Sequence, residues 1–404
     1  MNSISSNSFM KNISITALLL VNLTVSAESI FEMRGNIEVQ ARYFTQDALL
    51  PTQKSSVMSL AIEPEFFFSW NDDADSLEFV PFARIDQHDD ERTHTDIREL
   101  SWVHVTDNWE TRVGIRRVFW GVTEFQHLVD IINQSDAVED IDNEDKLGQP
   151  MINLSLVKDW GIIDFYVLPG FRERTFSSTS GRPAIAYLQQ DHAIYEHSDK
   201  DSHVDFAVRW THSMGDFDLG LSWFDGTSRD PLIIASPHQT LLPEIIPYYQ
   251  QISQVGIDIQ ATIGDVLWKF EVINNQNNLE DYSALQGGFE YSLYGISGSN
   301  ADLGLLFEYG WDERGAKATG INQNDIFTGA RLALNNADSS ELLFGISYDL
   351  DYQSSSLFVE ASKRFGNNMK ASLDIRLFDS DDQRDPIYLF KQDDHLQLTV
   401  QYFY

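Results

Sequence analysis

Apolar and polar residues alternate along most of this chain. Phe31, Met33, Gly35, Ile37, Val39, Ala41 and Tyr43 occupy one phase; Glu32, Arg34, Asn36, Glu38, Gln40 and Arg42 occupy the other. Successive side chains of a strand point to opposite faces, so this pattern is one strand with an apolar face and a polar face. It holds for about thirteen residues, where soluble strands average about five or six. Met58, Leu60, Ile62, Pro64, Phe66, Phe68 and Trp70 repeat it, as do Leu77, Phe79, Pro81, Ala83 and Ile85. Pro64 and Pro81 each remove a ladder donor, which marks them as bulge positions. Further strands are predicted near 95–106, 109–120, 150–158, 161–171, 203–212, 216–225, 249–262, 265–275, 282–294, 301–311, 325–335, 340–351, 354–365, 369–379 and 393–404. In 95–106, Leu100 and Trp102 conflict in phase with Val103 and Val105, which predicts a bulge there.

The connections sort by parity. Every even-numbered one is short: Asn71–Asp75, Asp107-Asn108, Asp159-Trp160, Ser213–Gly215, Ile263-Gly264, Gly295–Asn300, Asn336–Ser339 and Gly366–Asn368. The odd-numbered set contains all the long ones, such as 121–149, 172–202 and 226–248. A sandwich has no reason to segregate loop lengths, whereas a membrane barrel has short periplasmic turns and long extracellular loops. Strands of this length span a bilayer when tilted. The fold expected is all-β: a closed antiparallel transmembrane barrel of about eighteen strands. Sixteen is the alternative, because the 351–354 connection is short for an outer loop and Arg117 stands on the apolar phase of 109–120.

Composition narrows the compartment. The N-terminus has Lys11, a short apolar run from Ile13 to Leu23, and Val25-Ser26-Ala27, the layout of a secretory signal peptide over 1–27. The remaining 28–404 then form one barrel domain. No stretch reaches the length of a membrane helix, so any span must be β. The chain has no cysteine, which removes disulfides and thiolate metal sites. Its formal net charge of −34 disfavours nucleic acid as a partner. Acidic loops could instead share divalent cations with anionic lipopolysaccharide. Aromatic residues, 12% of the chain, gather near strand ends as interfacial girdles do.

The final run, Leu396, Leu398, Val400, Tyr402 and Tyr404, resembles the closing strand of bacterial outer-membrane barrels. That resemblance implies pairing with the first strand, outer-membrane lipid around the wall, and recognition by the barrel-insertion machinery. It places the protein in the outer membrane of a Gram-negative bacterium.

Chemistry is expected on the inner face, which encloses water in a barrel this wide. The polar phase of the first half carries Arg34, Arg42, Arg84, Arg112, Arg116 and Arg209, with Glu32, Glu38, Glu63, Glu65, Asp86 and Asp205 on the same phase. These residues either satisfy one another in a polar wall or set a transverse field across a constriction. Loop 121–149 is the candidate for folding inward, since Leu128, Val129, Ile131 and Ile132 are too apolar for open water. An acidic run follows: Glu139, Asp140, Asp142, Glu144 and Asp145. It lacks the glycine and closing glutamate of an EF-hand.

Gly114 and Arg116, then Trp120, Gly121 and Glu124, then Asp130 and Asn133, resemble a motif of porin-like barrels from proteobacteria, largely uncharacterised; Gln134 stands where those relatives commonly have proline. The resemblance implies passive passage of small solutes and supplies no substrate. The constriction set expected is therefore Arg34, Arg42, Arg84, Arg112, Arg116, Glu124, Asp130, Asn133, Asp136, Glu139 and Asp140. In it Arg112 and Arg116 face Asp130 or the acidic run. Trimers are common among related porins, so a homo-trimer is a candidate assembly.

Two other classes compete with this reading. One is a non-conducting barrel plugged by 121–149 and 172–202, with a surface or assembly role. The other is an outer-membrane hydrolase. No Gly-x-Ser-x-Gly elbow or phosphate loop occurs, and the ten histidines are scattered. His192, His197 and His203 share a loop with acids but no helical ligand pair, so a solvated loop is preferred there to a metal site. No catalytic residue, cofactor or metal is expected.

Overall fold

The computed structural model describes residues 29–237, 244–320 and 323–404. The expected signal peptide lies outside the described residues. Twenty-one β elements follow in order. The first seven are β1 (Ile30–Phe44), β2 (Ser56–Trp70), β3 (Asp75–Asp86), β4 (Thr95–Val105), β5 (Trp109–Arg116), β6 (Gln149–Lys158) and β7 (Gly161–Pro169). The short β8 (Ile194–Tyr195) precedes β9 (Val204–Met214) and β10 (Phe217–Thr227). Then come β11 (Leu232–Ala235), β12 (Ile245–Tyr249), β13 (Gln251–Ile263), β14 (Val266–Asn277), β15 (Tyr282–Leu293) and β16 (Asp302–Asp312). The last are β17 (Asn324–Ala333), β18 (Glu341–Asp349), β19 (Ser355–Phe365), β20 (Met369–Asp379) and β21 (His395–Phe403).

Eighteen of these form one sheet in which each strand pairs antiparallel with its neighbours in sequence. The sheet closes because β1 also pairs with β21, Ile37 opposite Tyr402 and Tyr43 opposite Leu396. Closure leaves no edge, the condition for a sheet to cross lipid. The outward phase is apolar and exposed all round: Phe31, Met33, Val39 and Tyr43 on β1, Leu221 and Trp223 on β10, Leu396, Leu398 and Tyr402 on β21. Trp102, Trp109, Trp160 and Trp268 stand toward the short-turn end, and Tyr43, Trp223, Trp311 and Tyr348 toward the other. Two bands of amphipathic rings at the rims are what two membrane interfaces select. The architecture is that of a porin-like, outer-membrane type of transmembrane barrel, with eighteen strands. β11, β12 and β8 form a separate three-stranded sheet among the long loops.

Two details differ from expectation, and a third, at Pro64, agrees with it. β5 ends at Arg116, so Arg117 never faces lipid as a strand residue, and the phase objection to eighteen strands disappears. The β3–β4 register shifts between Val80 and Pro81, where Glu99 and then Ile97 are the partners. The extra residue is Arg98, so β4 does carry a bulge, opposite Pro81 and earlier than expected. Val103 and Val105 instead face the interior, beside Glu99 and Ser101. At Pro64 the β2–β3 ladder is interrupted: Ile62 pairs Ala83 and Phe66 pairs Phe79, with no partner for the residues between.

Candidate functional site: the inward segment and its walls

The connection from β5 to β6, residues 117–148, lies against the inner wall. Val129 and Ile132 are fully buried in a cluster with Trp120, Met151 and Leu168, and with Ala207, Phe224, Ile252, Ile273 and Ala284 from β9 to β15. Leu128 and Ile131 pack beside them. The apolar run that looked wrong for open water thus packs on the inner side of the wall from β6 to β15.

The base of the segment is closed by one amide. Asn133 Nδ2 donates to the carbonyls of Arg116 at 2.7 Å and Leu147 at 2.8 Å, and its Oδ1 accepts from Val118 N–H at 2.8 Å. Asp130 Oδ1 accepts from Trp120 N–H at 3.1 Å, and its other oxygen meets Lys146 Nζ at 3.1 Å. Trp120 packs edge-on to Tyr166, with the Arg209 guanidinium 5.0 Å from its ring centre. The Trp-Gly…Asp-x-x-Asn pattern is therefore a folding device.

Two buried carboxylates hold the segment's backbone from the wall. Glu271 Oε1 on β14 accepts from Val122 N–H (2.7 Å), Thr123 N–H (3.0 Å) and Thr123 Oγ1 (2.7 Å). Its Oε2 accepts from Val129 N–H at 3.2 Å. Glu308 on β16 accepts from the N–H groups of Glu124 at 2.7 Å and Phe125 at 3.1 Å. Backbone N–H bonds to a carboxylate are among the stronger hydrogen bonds a protein makes. Glu124 itself reaches Lys269 at 3.3 Å and Arg331 at 2.5 Å. Alternation puts Glu271 and Glu308 on the inner face, but nothing in their spacing announces what they grip.

The second half of the segment meets a basic wall. Arg84 on β3 contacts Glu139 at 2.7 Å and Glu38 at 2.9 Å. Arg92, from the β3–β4 loop, reaches Asp86 at 3.0 Å and the Val138 carbonyl at 2.8 Å. Arg98, at the bulge, contacts Asp136 at 2.7 Å. Arg376 on β20 bridges Asp142 at 3.2 Å and Glu360 at 2.8 Å. Arg42 holds Gln397 at 2.7 Å and lies near Asp140. Arg92 and Arg98 escaped the sequence reading because a loop and a bulge have no phase; Arg376 stands on the polar phase of β20 and was readable.

Basic wall and acidic loop are thus in direct contact, through pairs other than those expected. Arg112 pairs with Glu110 on its own strand, and Arg116 faces Glu99 and Glu110. Neither faces Asp130 or the acidic run. With Arg117 they line a recess of about 480 Å³ among Glu63, Glu65, Glu78, Glu99 and Glu110. Arg34 pairs with Glu65 on the rim of the same region. Asp130, Asn133 and Asp136 are shielded from lumen water and shape the loop. In the acidic run, Asp142, Asn143, Glu144 and Asp145 are exposed.

Charge in the loop follows from these contacts. Burial works against ionisation of Asp136, yet His94, Arg98 and Thr175 hold it below the usual carboxylate range. Crowding by the loop and wall around it and the neighbouring Asp140 carboxylate raise Asp142 well above that range, although its side chain still reaches water. Asp145 is pushed up to about 7 by its packed surroundings and by Glu139 and Asp140. His94, Asp136 and Glu139 have ligand atoms within 4.8 Å of one another. Arg98 and Arg84 already neutralise those two carboxylates, so the trio has little to offer a cation. The three histidines of the β7–β9 loop are separately engaged: His192 with Glu244 at 2.6 Å, His203 with Asp205 at 2.7 Å, and His197 with Asp199 at 3.8 Å.

No family model matches the chain, and neither does any curated protein. Among solved structures it is similar to the outer membrane protein OmpT of Vibrio cholerae in its trimer form. Identity is 9% over 93% of this chain and 99% of that one, with a TM-score of 0.46. A loop L8 deletion mutant of the same OmpT gives 8% identity, the same coverage and 0.46. A mutant of Rh. blastica porin gives 10% identity over 93% of this chain and 100% of that one, with a TM-score of 0.43. Likenesses this slight decide nothing about role; the barrel stands on its own strand pairing.

Proposed function

We propose that this barrel lets small hydrophilic solutes and ions diffuse passively across the outer membrane of a Gram-negative bacterium, through a lumen narrowed by residues 117–148. The leader 1–27 would deliver it to the periplasm, the C-terminal strand would address it to the insertion machinery, and lipid with lipopolysaccharide would surround it, in a homo-trimer or alone. One observation carries the reading. The acidic tip Asp142–Asp145 remains open to water although Arg376 of the opposite wall reaches it at 3.2 Å. A passage bordered by carboxylates favours cations. Passage needs no chemistry, and no residue is assigned a catalytic role; turnover of phospholipid or ester by the purified barrel would contradict this.

The plugged reading has an observation of its own: Asp205, Glu271, Gln286 and Asp349, all on the inner face, are fully buried. Planar-bilayer recording of the refolded protein separates the two. Stepwise openings with cation preference are expected. Silence in the intact chain, with current appearing only after 122–146 is replaced by a short linker, would establish the plug instead.

A further inference from the structure

At the long-loop end of β17 and β18, two aspartates stand directly opposite each other, Asp325 against Asp349. Both are buried, at 1% and 0% exposure. Like charges at directly paired positions repel, and a buried carboxylate normally finds a cation or a set of donors. Among the described residues, neither has a lysine, arginine or histidine at ion-pair distance. Asp349 is partly served: its Oδ1 accepts from the N–H groups of Asp351 at 2.7 Å and Tyr352 at 2.8 Å, and the Gln323 amide donates to Oδ2. Asp325 Oδ2 accepts from Asn324 N–H at 3.1 Å.

Three oxygens around the pair have no partner. Asp325 Oδ1, Gln323 Oε1 and Ser354 Oγ are all buried without a hydrogen bond. Their residues converge on Asp349: Gln323 through its amide, Ser354 through its carbonyl, which accepts from Asp349 N–H at 3.0 Å, and Asp325 across the ladder. Buried orphan acceptors on this scale are rare and each implies a missing donor or ion. We infer that Asp325, Asp349, Gln323 and Ser354 bind a hard divalent cation, calcium by its tolerance of irregular oxygen shells. All four offer oxygen and none offers nitrogen, once the Gln323 amide turns its carbonyl inward. The ion would cancel the Asp325–Asp349 repulsion and join the β16–β17 loop to the β18–β19 turn. At the extracellular mouth it would meet external calcium, with half-saturation at about 10⁻⁴–10⁻³ M, as in extracellular modules.

The test uses the refolded full chain in detergent, with terbium as a luminescent stand-in for calcium and heat-modified gel mobility as the stability readout. Terbium emission sensitised by neighbouring Tyr348 and Tyr352 should appear and be displaced by calcium, and calcium should raise the unfolding temperature relative to EDTA. Asp325→Asn keeps the shape and removes the repulsion. It should unfold at the same or higher temperature in EDTA and lose the calcium response, with terbium emission down at least tenfold. Ser354→Ala should weaken binding several-fold without loss of fold. An unchanged melt in calcium and EDTA would overturn the assignment and leave a shared proton as the answer to the repulsion. A calcium response that survives Asp325→Asn would overturn it too, by placing the ion elsewhere.

Discussion

Asn133 touches both feet of the inward segment, and it has no substitute. Asn133→Ala would leave the Val118 N–H and the Arg116 and Leu147 carbonyls without their partner. An unsatisfied buried group costs about 1–3 kcal/mol. Protease cleavage between 117 and 148 should rise while the wall stays intact, read by limited proteolysis against heat-modified mobility. Asp145 supplies a second prediction. With its pKa near 7, it is ionised above that pH and neutral below. Cation preference in bilayer recordings should therefore fall as pH drops from 8 to 6, and Asp145→Asn should flatten that step. At this scale the sequence showed which residues were unusual but not what they do. Asn133 and Asp130 stood out through a resemblance to a motif of porin-like barrels, and their roles as a clamp and a turn holder needed the carbonyl positions. Arg112 and Arg116 were visible by phase, yet their partners depended on strand ends and on Glu110 two residues away.

Among elements, alternation served best where both faces meet a uniform medium. β1, β16 and β21 have lipid on one side and polar groups on the other, and their limits follow from period two within about two residues. Legibility failed at β5, where Arg117–Trp120 continues the pattern after the ladder has ended. It failed also at Arg98, because one inserted residue puts two successive side chains on the same side. That insertion matters: it brings Arg98 to Asp136 and helps fix the far end of the segment. The main anchor there is Arg84, which bridges β1 and the segment through Glu38 and Glu139. Arg84→Ala leaves buried Glu139 short of its cation. Removing one partner of a buried pair costs about 3–5 kcal/mol. The lower figure is expected, since Arg92 stays within 4.0 Å of Glu139. Thermal unfolding of the variant should show it, and a double-mutant cycle with Glu139→Gln should recover most of it.

For the whole molecule, strand number and closure were legible because loop lengths sort by parity, a consequence of threading through a membrane. Pore dimensions were not legible, because they depend on how far the long connections descend. Replacing 122–146 by a short linker removes Val129, Ile132 and the acidic tip together. Single-channel conductance should then rise several-fold and cation preference should decline, both read in planar bilayers. Neutralising the exposed acids of the outer loops should reduce the sensitivity of expressing cells to EDTA, if those loops share divalent ions with lipopolysaccharide.

Arg116 and Gln149 are direct ladder partners across β5 and β6. Everything between them leaves and rejoins the hoop of strands at one place, and the grips of Glu271, Glu308 and Arg84 on it are side-chain contacts that interrupt no strand pairing. A lineage can lengthen, exchange or discard that stretch without retying the hoop, so what such a barrel admits can drift quickly while its wall changes hardly at all.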